Sequence, residues 1–291
     1  MKPYQDAVAL RGALEARLKR QSDSDGTDLG RVRRPVVFDR LAARLSADAD
    51  GEWILKGGAA LEFRLRNPAR ATKDLDLAVL AVGLNGRAIR EALLDTLTED
   101  PDGDWFTFRV VPPVALAVDS AERPAWRLSV EAGLAGKPFA GVRLDVAARA
   151  EEVTATEQLS LLGVLDFAGT PARMIEAVDR RPHFAEELHA FTRDDGDRPN
   201  TRVKDRADLV LLIENGLAPD RELDGVVQHV FTIRATHPLP SNLPGPPPLW
   251  HETYPPLVDG LTETTPTLGS ALDLVRGFWN KAVDDTTRTD F

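Results

Sequence analysis

The sequence predicts an α+β fold, with a mixed sheet flanked by helices over residues 1–152 and a mostly helical lobe over 153–291. Three observations predict it. Up to about residue 147, short apolar or alternating runs that suit strands are interleaved with amphipathic segments that suit helices. From about residue 155 the segments take helical composition and strand patterns stop. Residues 236–256, THPLPSNLPGPPPLWHETYPP, are too irregular for a regular element and hold Trp250 and Tyr254, which reads as an ordered strap.

Taken in order, residues 5–20 and 35–47 pattern as helices, with the polar stretch QSDSDGTDLG as a loop between them and Pro35 suited to a first helical position. Trp53-Ile54-Leu55 is too short for a helix and runs into glycine, which reads as a buried strand. Gly57-Gly58 follows, where backbone approaches a ligand with no Cβ in the way. Residues 59–65 are helical in composition and Asn67-Pro68 stops them. A second strand carries Asp74-Leu75-Asp76-Leu77. Residues 87–97 pattern as a helix, PDGD as a turn and 105–111 as a strand. Two alternating runs, 125–134 and 138–147, joined by Ala135-Gly136-Lys137, read as a hairpin, giving about four or five strands in all. Helices are expected over 156–166, 171–179, 184–192, 204–214, 222–235 and 267–283, with a loop at 193–200.

With 43% hydrophobic and 28% charged residues, the 291-residue chain has an ordinary soluble composition and can bury a sizeable core in two lobes. The absence of cysteine excludes disulfides, zinc–thiolate sites and thiol catalysis, and fits a reducing, cytoplasmic setting. The N-terminal segment is charged and amphipathic, unlike a signal peptide, and no apolar run approaches the ~20 residues of a membrane span. A net charge of −10 speaks against general nucleic-acid binding, yet residues 1–73 hold fifteen Lys/Arg against ten Asp/Glu. Arg31, Arg33, Arg34, Arg64, Arg66, Arg70 and Lys73 surround the glycine pair in sequence, as a docking lobe for a polyanion or as solvated helix faces.

Strand side chains alternate faces, so Asp74 and Asp76 share one while Leu75 and Leu77 turn to the core. Two such carboxylates repel unless a cation sits between them, and oxygen-only donors suit Mg²⁺ or Mn²⁺. Val142-Arg143-Leu144-Asp145-Val146 places a third strand-borne carboxylate at Asp145. Three converging carboxylates can hold two divalent cations, which activate an attacking hydroxyl and neutralise a leaving pyrophosphate. A bare D-x-D is usually surface decoration; the strand–glycine turn–helix order upstream is what favours a site. Thr72 shares the face of Asp74 and is placed to touch the site or to accept a phosphate, which would bring roughly −2 charge. His189, between Leu188 and Ala190, reads as a hydrogen-bonded core residue.

Gly57-Gly58, then Asp74-Leu75-Asp76-Leu77, then Asp145, resemble the nucleotidyltransferase superfamily that includes DNA polymerase β. More narrowly, KGGAALEFR…RATKDLDL followed by AEELHAFT…RVKDRADLVLL resembles the AbiEii/AbiGii family of nucleotidyltransferase-like toxins of bacterial toxin–antitoxin pairs. FTIRATHPLP and the proline/tryptophan strap are similar to its MenT-like branch, and the resemblance covers about residues 50–260. It implies a transferase that takes an NTP with Mg²⁺ or Mn²⁺ and passes the nucleotide to RNA, foremost the tRNA 3′ acceptor end, with an antitoxin protein as a possible partner. Lys56, Gly57, Gly58, Lys73, Arg202 and Lys204 would bind the nucleotide; Asp74, Asp76 and Asp145 would hold metal; Asp205 would join them as a catalytic group. The other reading of Asp205 is a solvated helix face with a Lys204–Asp208 pair, worth a few tenths of a kcal/mol. Where the family has a phosphate-pairing lysine, Glu187 stands here. Either another cation (Arg193, Arg202 or Lys204) substitutes, or NTP binding is impaired, or the helix is shifted by a turn. Transfer to a protein or small molecule, and nucleotide binding without turnover, stay open.

Overall fold

The computed structural model describes residues 4–48, 53–66, 72–80, 85–116, 124–148, 150–193, 202–262 and 264–289. Asn67-Pro68, Arg70 and nearly all of the expected loop at 193–200 lie outside the described residues. In chain order the elements are α1 (Ala7–Asp25), α2 (Leu29–Ala47), β1 (Trp53–Lys56), α3 (Gly57–Leu65), β2 (Asp74–Val79), α4 (Gly86–Thr98), β3 (Phe106–Val110), β4 (Val114–Ala115), β5 (Ala125–Leu134), β6 (Lys137–Ala148), β7 (Thr156–Ser160), β8 (Met174–Val178), α5 (Arg180–Thr192), α6 (Val203–Glu214), α7 (Arg221–Arg234), α8 (Trp250–Val258) and α9 (Leu268–Thr289).

The strands form one mixed sheet in the order β3-β5-β6-β2-β1-β8-β7, with β4 on β5. β2 lies at its centre, antiparallel to β1 and parallel to β6. The β5–β6 hairpin turns at Ala135 (φ 52°) and Gly136 (φ 68°), the left-handed pair that a two-residue hairpin turn demands. One face of the sheet, with Leu75, Leu77, Leu128, Val130, Leu144 and Val146, packs under α1, α2 and α4 through Leu10, Leu14, Phe38, Leu41, Ile89 and Leu93. Each such aliphatic contributes about 1.5–3 kcal/mol of burial. A second core, built from α5–α9 around Phe184, Leu209, Val227, Trp250, Tyr254 and Trp279, takes in Leu61 of α3. Helix α3 thus belongs to both cores and ties the lobes together.

Several elements differ from expectation. Residues 156–166 and 171–179 are not helices: they contain β7, a short 3₁₀ turn at Asp166–Ala168, and β8. Strand β8 is interior to the sheet, with Ile175, Ala177 and Val178 buried, and at five residues it is too short for its pattern to tell strand from helix. The sheet therefore continues past residue 152 to Val178, and the described residues hold eight strands where four or five were expected. The polar stretch at 21–30 is largely helical. α1 runs on to a left-handed Gly26 (φ 60°), and Asp28 then caps α2 by accepting from the amides of Gly30 and Arg31, so Pro35 falls inside α2. Within the strap, α8 buries Trp250 and Tyr254 one turn apart.

Candidate active site

Strand register sets the first row of the site. Lys56 on β1 lies opposite Asp76 on β2, and Asp76 lies opposite Asp145 on β6, so the three share the sheet face away from α1, α2 and α4. The next row pairs Asp74 with Arg143, and β5 brings Arg127 opposite Asp145. Helix α3 begins at Gly57, directly after β1, with φ 55°; a Cβ there would stand 2.5 Å from Asp76 Oδ2. Glycine is thus required twice, for the left-handed backbone and for the carboxylate against it. The first turn of α3 has no side-chain cap, which leaves its N–H groups for an anion in the cleft. Helices α5, α6 and α7 supply the facing wall. The cleft, of about 320 Å³, is lined by Lys56, Gly57, Gly58, Asp76, Asp145, Glu186, Glu187, Arg202, Asp205 and Arg234, among others.

Of the residues singled out in the sequence, Lys56, Gly57, Gly58, Asp76, Asp145, Arg202 and Asp205 are brought together here. Asp74 sits beside them on β2 but turns to Arg143, whose Nε donates to Oδ1 at 2.6 Å. Lys73 and Lys204 are exposed and do not line the cleft. Asp205 and Asp208 are both buried, which removes the solvated-face reading of α6; Arg202 reaches Asp205 at 3.6 Å. Thr72 is buried and its hydroxyl donates to the Asp74 carbonyl at 3.0 Å. His189 is a core residue: Nε2 meets Thr236 Oγ1 at 2.8 Å, the ring packs on Phe231 and His237, and burial pulls its pKa down to about 3. The basic lobe is largely committed to the fold. Arg33 pairs with Glu15 at 2.6 Å, Arg64 with Glu157 and the Val178 carbonyl, and Arg66 with Ser160 and the Leu161 carbonyl.

The electrostatics of the two walls differ. Asp76, open only toward the cleft, is pushed up to about 8, first by burial and then by the charges of Asp145, Asp74 and Glu187, with Lys56 opposing. Asp145 is gripped bidentately by Arg127, Nε to Oδ1 at 2.7 Å and Nη2 to Oδ2 at 2.5 Å. Across the cleft Lys56 pairs with Glu186 at 2.8 Å, and Arg234 joins Glu152 at 2.8 Å to Glu186 at 3.4 Å. Glu187 lies 3.5 Å from His183 Nε2, but burial and Arg64 lower that histidine to about 4, so the contact is not a charge pair near neutrality. Arg127, Arg143, Glu152, Glu186 and Arg234 are the site residues that sequence reasoning did not find.

Among the described residues no group of three or more His, Cys, Asp or Glu is arranged to hold an ion as it stands. Two of the three carboxylates are turned to arginines. The donor set nonetheless fits a hard divalent cation: all donors are oxygens, and the charge crowding at Asp76 is what a cation relieves.

The AbiEii profile, described as the nucleotidyl transferase AbiEii toxin of a type IV toxin–antitoxin system, matches residues 40–283. The chain belongs to the AbiEii family. The match spans both walls of the cleft, from α2 to α9, and membership makes the chain a nucleotidyltransferase-family toxin with an antitoxin as its partner. Two solved structures are similar to this AbiEii member at low identity. One is an antigenic nucleotidyltransferase-like protein from Paracoccidioides brasiliensis, 14% identical, with a TM-score of 0.39, covering 71% of this chain and 94% of its own. The other is a putative nucleotidyltransferase from H. pylori, 11% identical, with a TM-score of 0.44, covering 88% and 96%. Comparison with curated protein sequences gives no match. Among the described residues no helix is long and apolar enough to cross a membrane.

Proposed function

We propose that this AbiEii-family toxin transfers a nucleoside monophosphate from an NTP to an RNA acceptor, foremost the 3′ end of tRNA, in a reaction that depends on Mg²⁺ or Mn²⁺. The observation that carries the reading is the row Lys56–Asp76–Asp145 beside the uncapped glycine start of α3, in one cleft. Asp76, Asp145 and Asp74 would hold the cations, which when bound neutralise phosphate charge and activate the attacking hydroxyl. The chain's own groups do the rest. The N–H groups at Gly57 and Gly58 receive phosphate oxygens, favoured by the positive end of the helix. Arg202 adds a guanidinium from the facing wall, and Asp205, buried in that wall, positions the donor against the sheet.

The test is incorporation of each of the four labelled NTPs into total tRNA, with Asp76→Asn as the comparison. Labelled tRNA made by the parent and not by the variant supports the reading; equal growth arrest by both on induction overturns it. One observation favours a second reading. Lys56 is engaged by Glu186, and Glu187 stands in the same cleft, so the wall expected to meet the triphosphate is acidic. A member that binds nucleotide without turning it over would show micromolar NTP affinity by calorimetry and no product with RNA, protein or small-molecule pools.

A further inference from the structure

We propose that Arg127 and Arg143 are exchangeable counter-ions of the carboxylate row: they hold Asp145 and Asp74 in a metal-free arrangement, and cation loading releases them to the phosphates of an RNA acceptor strand. The inference rests on the metal-dependent reading above and names the groups that meet the acceptor.

Three observations carry it. Arg127 covers both oxygens of Asp145, and Arg143 takes Asp74 Oδ1, so the oxygens that a cation would need are already engaged by guanidiniums. The arginine side chains are 37% and 46% exposed, so water and dissolved ions reach both pairs, and the pair Arg143 makes through one bond is the weaker of the two. Both arginines project from β5 and β6, on the side of β2 away from β1 and the glycine turn. If the donor's phosphates lie along Gly57 and Gly58, the acceptor enters over β6 and β5. There two freed guanidiniums match phosphate oxygens bidentately. Ser129, opposite Arg143, continues the polar face, and the exposed Arg109–Glu131 pair follows on β3 and β5. Metal loading and acceptor binding are then coupled through the same two carboxylates, each ligand raising the other's affinity.

The experiment uses the full chain and needs no turnover. Mn²⁺ is titrated, followed by electron paramagnetic resonance, into the parent, Arg127→Gln, Arg143→Gln, the double variant and Asp76→Asn. A fluorescent single-stranded RNA is then titrated with and without Mn²⁺ at matched ionic strength. Removing a competing cation tightens Mn²⁺ binding roughly two- to fivefold. A merely structural arginine, by contrast, would leave Asp145 less ordered and weaken it. Mn²⁺ is expected to raise RNA affinity in the parent, and the double variant to lose that gain. The slope of log affinity against log salt should fall by about 0.7 per arginine removed. Mn²⁺ binding that is lost in Asp76→Asn but unchanged or weaker in both arginine variants overturns the proposal and leaves the metal site standing. A gain in RNA affinity that survives in the double variant overturns the acceptor half. Absence of Mn²⁺ binding in the parent overturns both readings. Arg143→Gln carries the test alone should Arg127→Gln fail to fold.

Discussion

On the β5–β6 side of the cleft, carboxylates meet arginines that are about two-fifths exposed; on the α5–α7 side, Lys56 and Arg234 meet Glu152 and Glu186 with every side chain 14% exposed or less. The chemistry of the pairs is the same and their surroundings are not. Water competes for the first set, so either partner can be traded for another ion at less cost than in the second. The second set is desolvated, and removing one member strands an uncompensated charge inside the protein. One wall is arranged to exchange its ions and the other to keep them.

The largest expected effect breaks the wall that keeps them. Arg234→Met leaves Glu152 and Glu186 with less counter-charge and should lower unfolding free energy by about 3–5 kcal/mol in urea. A loss below about 1 kcal/mol would place this wall with the exchangeable one. Next is Gly57→Ala, which forces alanine into a left-handed backbone and its Cβ against Asp76, for about 1–3 kcal/mol in the same assay. Mn²⁺ binding should weaken in parallel as the carboxylate is displaced.

Third is pH. Asp76 titrates near 8 in the fold against 3.8 when unperturbed, so between those values the folded state holds a proton that the unfolded chain has released. Its contribution to stability is fullest below about pH 4 and is lost as pH rises toward 8. In EDTA, with solvent at the cleft reducing the effect, stability should drop by about 1 kcal/mol between pH 6 and 8, and Asp76→Asn should flatten that drop. Added Mg²⁺ should oppose it, because the cation takes the proton's place. Smallest is Glu187→Lys, which gives the acidic wall the cation the family resemblance expects. Calorimetry should show NTP binding roughly two- to fivefold tighter, with unfolding unchanged.

Much of this was legible in the chain. The Asp74/Asp76 alternation, the glycine pair and the third carboxylate on a hairpin all follow from period-two patterning, and they place Asp76 and Asp145 side by side. The partner of Asp145 was not legible, for a local reason. Counting back from the Ala135-Gly136 turn, a regular hairpin puts Trp126 opposite Asp145; the irregularity between Ala132 and Gly133 shifts the register by one and brings Arg127 there instead. A single extra residue thus decides whether an aromatic or a guanidinium faces the site. The buried Lys56–Glu186–Arg234–Glu152 network was hidden for a different reason. Its members come from β1, the 3₁₀ turn Ala150–Glu152, α5 and α7, and no local period links them. The strands β7 and β8, five residues each, were masked by their shortness.

The spread of those four residues along the chain has a consequence for synthesis. The glycine turn and the aspartate strand are made early, while Arg234 follows the segments of β8, α5 and α6 in chain order. A polypeptide cut short before α7 carries Glu152 and Glu186 without their shared arginine, and Lys56 alone of this network would answer both carboxylates. Both walls of the cleft can therefore be complete only once α7 has been made, long after the glycine turn and the aspartate strand.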